Sequence, residues 1–235
     1  MSASKVFFTN MRTKVGESLL AKMERLVNRA GIEQIDFRHK YTAIKIHFGE
    51  PGNLAFLRPN FAKTLAGRVR ALGGMPFLTD CNTLYVGRRN NALVHMEAAF
   101  ENGYSPLSTG CHNIIADGLK GTDDVEVPVP GGVYCKTARI GRAIMDADIV
   151  LSLNHFKGHE MTGFGGALKN LGMGSGSRAG KMHMHNDGKP TVNRELCTGC
   201  QVCSKFCNQG AFSFTDKKAS INHDKCVGCG RCIGV

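Results

Sequence analysis

Apolar residues first fall into a helical rhythm between residues 16 and 30, where Leu19, Leu20, Met23, Leu26, Val27 and Ala30 share one face and Gly31 stands where a helix stops. Ahead of it, residues 6–9 read as a short opening strand, and residues 41–48, rich in β-branched and aromatic side chains, as a longer one. Residues 60–72 fit a helix opened by Pro59 and closed by Gly73 and Gly74. A short strand over 76–79 and a helix over 91–101, ending at Gly103, come next. Residues 125–129 and 133–138 flank Pro130-Gly131-Gly132 as a hairpin. A helix over 140–147 then leads into residues 148–153, an apolar run typical of a strand buried on both faces. Strands alternating with helices predict an α/β fold, a mostly parallel sheet with helices on both faces.

After residue 153 the texture changes. Nine glycines stand between residues 158 and 188, interleaved with histidines and lysines. That content predicts a ligand loop over residues 154–180 and no core element. Residues 186–190 read as a linker. The expected organisation is an α/β domain over 1–189 and a small cysteine module over 190–235, short of its last ligand at the C-terminal end.

The module changes the reading most. Seven of the ten cysteines lie between Cys197 and Cys232, in two copies 29 residues apart. Val192-Asn193-Arg194-Glu195-Leu196-Cys197-Thr198-Gly199-Cys200 aligns with Ile221-Asn222-His223-Asp224-Lys225-Cys226-Val227-Gly228-Cys229, and Cys203 with Cys232. The first copy is the C-x₂-C-x₂-C-x₃-C run of bacterial-type ferredoxins, whose fourth cysteine serves the other cluster. Cys207, Cys226, Cys229 and Cys232 would then hold one 4Fe-4S cluster; Cys197, Cys200 and Cys203 would hold a second, whose fourth ligand is expected just past Val235. Zinc prefers paired cysteines that close a tetrahedral site, which triplets at a fixed period fit badly. Asn208 stands where the ferredoxin pattern has proline. Cys81, Cys111 and Cys135 are scattered singly and read as thiols without chemistry.

Charge and composition narrow the class. The formal charge is +11; two clusters at about −2 each would leave roughly +7. No Lys/Arg run reaches five, tryptophan is absent and tyrosine scarce, so a nucleic-acid stripe is not supported. No apolar stretch is long enough to span a membrane, and neither a secretory signal nor a disulfide framework is present, which makes the cytoplasm the expected compartment.

Candidate chemistry in the α/β part lies where strands end. The 41–48 strand delivers His47 and Glu50, the 76–79 strand Asp80 and Asn82, and the 148–153 strand the glycine-rich loop. In an open parallel sheet, ligands sit beyond the carboxyl ends of the strands. His155, Lys157, His159 and Lys169 could move protons or hold an anion, while Gly163, Gly165 and Gly166 could cradle phosphate or carboxylate with bare N–H groups. His95 and His112 read as ordinary structural histidines, and Glu50 as part of a turn with Pro51 and Gly52.

Over nearly its whole length the chain resembles the iron–sulfur proteins grouped as domain of unknown function 362. Lys45-Ile46-His47-Phe48-Gly49-Glu50-Pro51-Gly52-Asn53 carries the resemblance, with Leu78-Thr79-Asp80-Cys81-Asn82-Thr83-Leu84-Tyr85, the glycine-rich loop and the cysteine run. The resemblance implies a ferredoxin insert in a larger α/β domain that continues past residue 235. At motif scale, His159-x₃-Gly163-Phe164-x-Gly166-x₂-Lys169 is similar to a segment of nickel-pincer lactate racemases, with Gly165 in place of that family's serine. That similarity implies His159 as acid/base and Lys169 as anchor of a nucleotide-derived cofactor. The expected protein couples electron transfer with a redox partner to an anionic small molecule; a plain electron carrier and an iron–sulfur sensor are the alternatives.

Overall fold

The structure is a computed structural model and describes residues 4–85, 87–159, 162–185 and 188–233. Helix α1 (Leu19–Arg29) starts where Ser18 Oγ accepts from Ala21 N at 3.1 Å and stops before Gly31, whose φ is +94°. Residues 6–9 form no strand: their exposed side chains find no neighbouring strand, and β propensity without a pairing partner makes no ladder. The segment after them is pinned by Lys22, whose Nζ donates to the backbone and side-chain oxygens of Asn10 at 2.9 and 3.0 Å.

The central sheet is built from β1 (Tyr41–Lys45), β2 (Met75–Asp80), β3 (Asn113–Ile115) and β6 (Ile149–Ser152), in the order β3-β2-β1-β6, all parallel. Between them run α2 (Pro59–Ala71), α3 (Ala92–Glu101), the short α4 (Pro106–Thr109), the pair β4 (Asp124–Pro128) and β5 (Thr137–Gly141), and α5 (Arg142–Met145). Ile44 on β1 stands beside Leu78 on β2 and Leu151 on β6. Ile44, Ile46 and Leu78 share the main core with Ala62, Leu65, Ala66 and Val69 of α2 and Ala99 of α3. Side chains alternate across a strand, so Lys45 leaves the opposite face, where it meets Asn170.

Three expectations need correction. β1 ends at Lys45, so His47 lies on a loop; the backbone contact continues only as far as Ile46 N to Thr79 O. The hairpin forms, but its second strand begins at Thr137 instead of 133, which also shortens the following helix to Arg142–Met145. β6 is an edge strand with Val150 40% exposed, not a strand buried on both faces. A run of apolar residues does not say how many neighbours a strand has.

The glycine-rich stretch is more ordered than its composition predicts. It forms an antiparallel hairpin of β7 (Lys157–His159) and β8 (Gly163–Gly165), then α6 (Ala167–Ser175) and α7 (Arg178–Met184). Glu160 and Met161, and Asn186 and Asp187 of the expected linker, lie outside the described residues. The cysteine-rich segment holds α8 (Val202–Lys205) and the antiparallel pair β9 (Phe212–Thr215) and β10 (Lys218–Ile221). Among the described residues no helix is long and apolar enough to cross a membrane.

Candidate functional site

The chain moves from β1 outward to β2 and β3, then returns to the other side of β1 with β6. That reversal puts the switch point at the carboxyl ends of β1 and β6, the place where open parallel sheets bind ligands. Asn170, in the first turns of α6, is seated there: its Nδ2 donates to Lys45 O at 2.9 Å and Ser152 Oγ at 3.0 Å, while its Oδ1 accepts from Lys45 Nζ at 2.8 Å. Lys45 Nζ also lies 2.9 Å from Asp80 Oδ1.

Around this plug the strand ends carry a buried polar network. Asp80 is paired with Lys45 and Arg89, and Arg89 Nε donates to Glu50 Oε1 at 3.0 Å. Burial alone would raise the Asp80 pKa; Lys45, then His95 and Arg89, outweigh it and hold the carboxyl well below the usual carboxylate range. Asn82 Nδ2 donates to Asp117 Oδ1 and Gly118 O, both at 2.9 Å, while its Oδ1 is buried with no hydrogen bond. His95 is not the satisfied histidine expected. It is buried, neither ring nitrogen makes a hydrogen bond, and Nε2 lies 3.7 Å from Asp80 Oδ2. Burial pushes its pKa down to about 3, against the opposing pull of Asp80.

His47 reaches the rim. Its Nδ1 accepts from Gly49 N at 2.9 Å, which places the proton of the neutral ring on Nε2. Protein crowding and then the Arg89 charge lower its pKa, but the ring is exposed, so solvent screens the effect more than at His95. Sequence reasoning selected His47, Asp80 and Asn82 and passed over Lys45, Arg89, Asp117 and Asn170. Lys45 sits inside a strand and reads as an ordinary alternating polar position; only three-dimensional pairing distinguishes it.

The glycine-rich segment brings two selected residues together. His159 Nε2 contacts Lys169 Nζ, and His159 Nδ1 accepts from Thr162 N at 3.3 Å. A Cβ placed on Gly165 would touch the stems of Lys157 and Lys169, at 3.7 and 4.0 Å, so that glycine leaves the space between them open. Gly163 has φ +76° at the hairpin, and Gly166 lies against Phe156, whose ring stacks on Phe164 at 5.6 Å. His155 is exposed between β6 and β7. His185, which sequence reasoning left out, packs edge-on to Tyr85 at 6.1 Å, and its pKa is lowered by burial and by Lys169. Shallow surface depressions lie along α1 and between α1 and α2, away from these groups.

In the cysteine segment the 29-residue repeat recurs as conformation. Asn193 Oδ1 accepts from the N–H groups of Glu195 and Leu196, and Asn222 Oδ1 from those of Asp224 and Lys225. Cys197 N donates to Asn193 O, and Cys226 N to Asn222 O. Gly199 and Gly228 have φ +75° and +66°, and Gln201 and Gly230 have +63° and +69°. A Cβ on Gly199 would sit 2.0 Å from Lys217 O, so this loop lies flat against the β9–β10 turn only as glycine.

Backbone N–H groups turn onto two of the thiols. Cys197 Sγ accepts from Ala219 N and Cys207 Sγ from Ala211 N, both at 3.4 Å. Backbone N–H groups of Ala219 and Gly199 lower the Cys197 pKa, and that of Val202 lowers Cys200, favouring the thiolate. Burial raises Cys203 and Cys232; Cys200 and Cys197 add to the first, and Cys229, Cys226 and Cys203 to the second, so the two triplets are electrostatic neighbours. No three His, Cys, Asp or Glu among the described residues are placed to hold a metal ion. A four-iron cubane spreads its thiolates farther apart than one ion does, and the free thiols, their N–H donors and the close-lying Gly199 fit such a group. Cys81 is buried with a pKa pushed up to about 12, chiefly by desolvation, and Cys111 is buried too; both are inert packing thiols.

No curated protein and no solved structure matches this chain. A family model, Domain of unknown function (DUF362), matches residues 42–224, from the first sheet strand into the second cysteine repeat. The chain therefore belongs to the DUF362 family.

Proposed function

We propose that this protein is an iron–sulfur redox protein whose cysteine module exchanges electrons with a partner protein and delivers them to, or takes them from, a small molecule bound at the α/β part. Cys207, Cys226, Cys229 and Cys232 would hold one 4Fe-4S cluster, and Cys197, Cys200 and Cys203 three corners of another. The clusters, when bound, supply one-electron storage. The observation that carries this reading is the repeat: two stretches 29 residues apart share turn, caps and left-handed glycines, with backbone N–H groups turned onto cysteine sulfurs.

In the α/β part, Lys169 would hold an anionic group, such as a phosphate or carboxylate, with Lys157 beside it and the N–H groups of Gly163, Gly165 and Gly166 nearby. His159, touching Lys169, would take or return a proton. His47, His155, Asp80 and Asn82 would border the same crevice, Asp80 as the fixed negative centre that orients Lys45 and Arg89. A second reading, an electron carrier without its own reaction, draws support from the mutual pairing of Lys45, Asp80 and Arg89, which leaves the inner network closed.

Anaerobic purification tests the shared core of both readings. Broad absorbance near 400 nm that bleaches with dithionite is expected; a colourless protein loaded with zinc would sink it.

A further inference from the structure

We propose that the face around Cys200 is a docking surface for an acidic, one-electron carrier protein. This rests on the iron–sulfur reading above. Among the module cysteines, Cys200 alone is exposed, whereas the other six are partly covered. Electron tunnelling falls steeply with distance, so the ligand nearest solvent marks the entry point. Two exposed apolar side chains lie on the same stretch of chain: Leu196, 79% exposed, directly before Cys197, and Phe206, 46% exposed, directly after α8. Among the described residues neither packs into a core cluster.

Cations stand on the loops around Cys197 and Gly199. Lys218 Nζ donates to Cys197 O at 2.6 Å, Arg194 Nη2 donates to Thr215 O at 3.4 Å, and Lys217 lies over Gly199. Lys205 closes α8, exposed, two residues after Cys203. Glu195 and Asp216 are the acidic groups nearby. Over residues 188–233 seven Lys/Arg face three Asp/Glu, and the whole chain has 30 against 19. Two clusters at about −2 each would offset the module's own excess, so the steering charge is the roughly +7 that the whole chain keeps, with the exposed lysines of these loops as its local contacts; such a field gathers and orients an anionic partner. An apolar centre with a charged rim is the anatomy of a protein interface. In the step itself one electron leaves the reduced carrier and enters the cluster; the carrier is oxidised by one electron, the cluster is reduced by one, and no proton or bond moves.

The test uses the cluster-loaded protein and an acidic two-cluster ferredoxin as probe. Calorimetric titration should show affinity falling about tenfold or more between about 0.05 and 0.3 M salt. Lys205→Glu with Lys217→Glu should weaken binding about as much at low salt and abolish carbodiimide cross-links to the carrier, while iron and sulfide content and bleaching by dithionite stay unchanged. Full iron content with an affinity indifferent to salt and charge reversal would overturn the docking surface and leave the cluster reading standing. Self-association through this face, seen as a concentration-dependent dimer that the double variant abolishes, would also overturn it. Absence of iron and sulfide would remove the cluster reading and this proposal together.

Discussion

A carboxylate sealed at the end of β2 persists only because cations surround it. Asp80 is 3% exposed, yet Lys45 and Arg89 keep it ionised. Lys45→Met should destabilise the fold by about 3–5 kcal/mol, because it strands the buried Asp80 charge and takes the donor from Asn170 Oδ1; urea unfolding of the two proteins measures it. His95 sets the acid limit. Its folded pKa, about 3, lies below its unfolded value near 6.5, so its contribution is intact above pH 6.5 and is lost as pH falls towards 3. Wild type should lose about 1–2 kcal/mol between pH 7 and pH 5, and His95→Leu should flatten that slope. An equal slope in both proteins would mean that some other group governs it. Asp80, held down, adds a further loss only below pH 4. None of this was legible in the sequence. The pattern Lys45-Ile46-His47 looks like ordinary strand alternation, and the partners of Lys45, Asp80 and Asn170, lie 35 and 125 positions away.

At the scale of elements, helices were legible where end signals and periodicity agree: Gly31 closes α1 as expected, although the helix starts at Leu19 and not at residue 16, and Pro59 and Asn91 open α2 and α3 within a residue of expectation. The strands at 41–48, 76–79 and 148–153 were legible in place but not in length, since their ends depend on neighbours that the local pattern does not name; the strand expected at 6–9 does not form, and β3 was not read at all. The glycine-rich segment was misread as loop because glycine counts as a breaker in isolation. Here its glycines make room: a Cβ on Gly180 would lie 2.4 Å from Arg139 O, where α7 presses on β5. Gly180→Ala should cost about 1–3 kcal/mol, read as a lower melting temperature. His159 and Lys169, selected for their place after the 148–153 strand, touch across β7 and α6. Lys169→Ala should abolish thermal stabilisation by anionic ligands, screened over nucleotides and small carboxylates, while leaving cluster content unchanged. His159→Ala should keep ligand binding and slow any turnover by about 10²–10⁴. Equal ligand shifts in wild type and Lys169→Ala would make this segment structural.

At the scale of the whole molecule, a parallel sheet with a buried ionic network and a repeat-built cysteine segment occur in one chain. Burial of Arg178 lowers its pKa, with Arg231 adding to the effect and Cys229 opposing it, while its backbone N–H reaches Asp117 Oδ2 at 3.0 Å. The second repeat is thus within electrostatic reach of the sheet's carboxyl ends, and Cys200 faces solvent on the first. Electrons entering at Cys200 would leave towards the α/β crevice. Everything in that route depends on what the seven cysteines hold. Iron, acid-labile sulfide and zinc counted together in the anaerobically isolated 235-residue protein, beside Cys229→Ser, give the most direct test. The account predicts iron and sulfide in equal amounts, at least about four of each per chain, with the complete site lost in Cys229→Ser. Zinc in place of iron, with no sulfide, would contradict it.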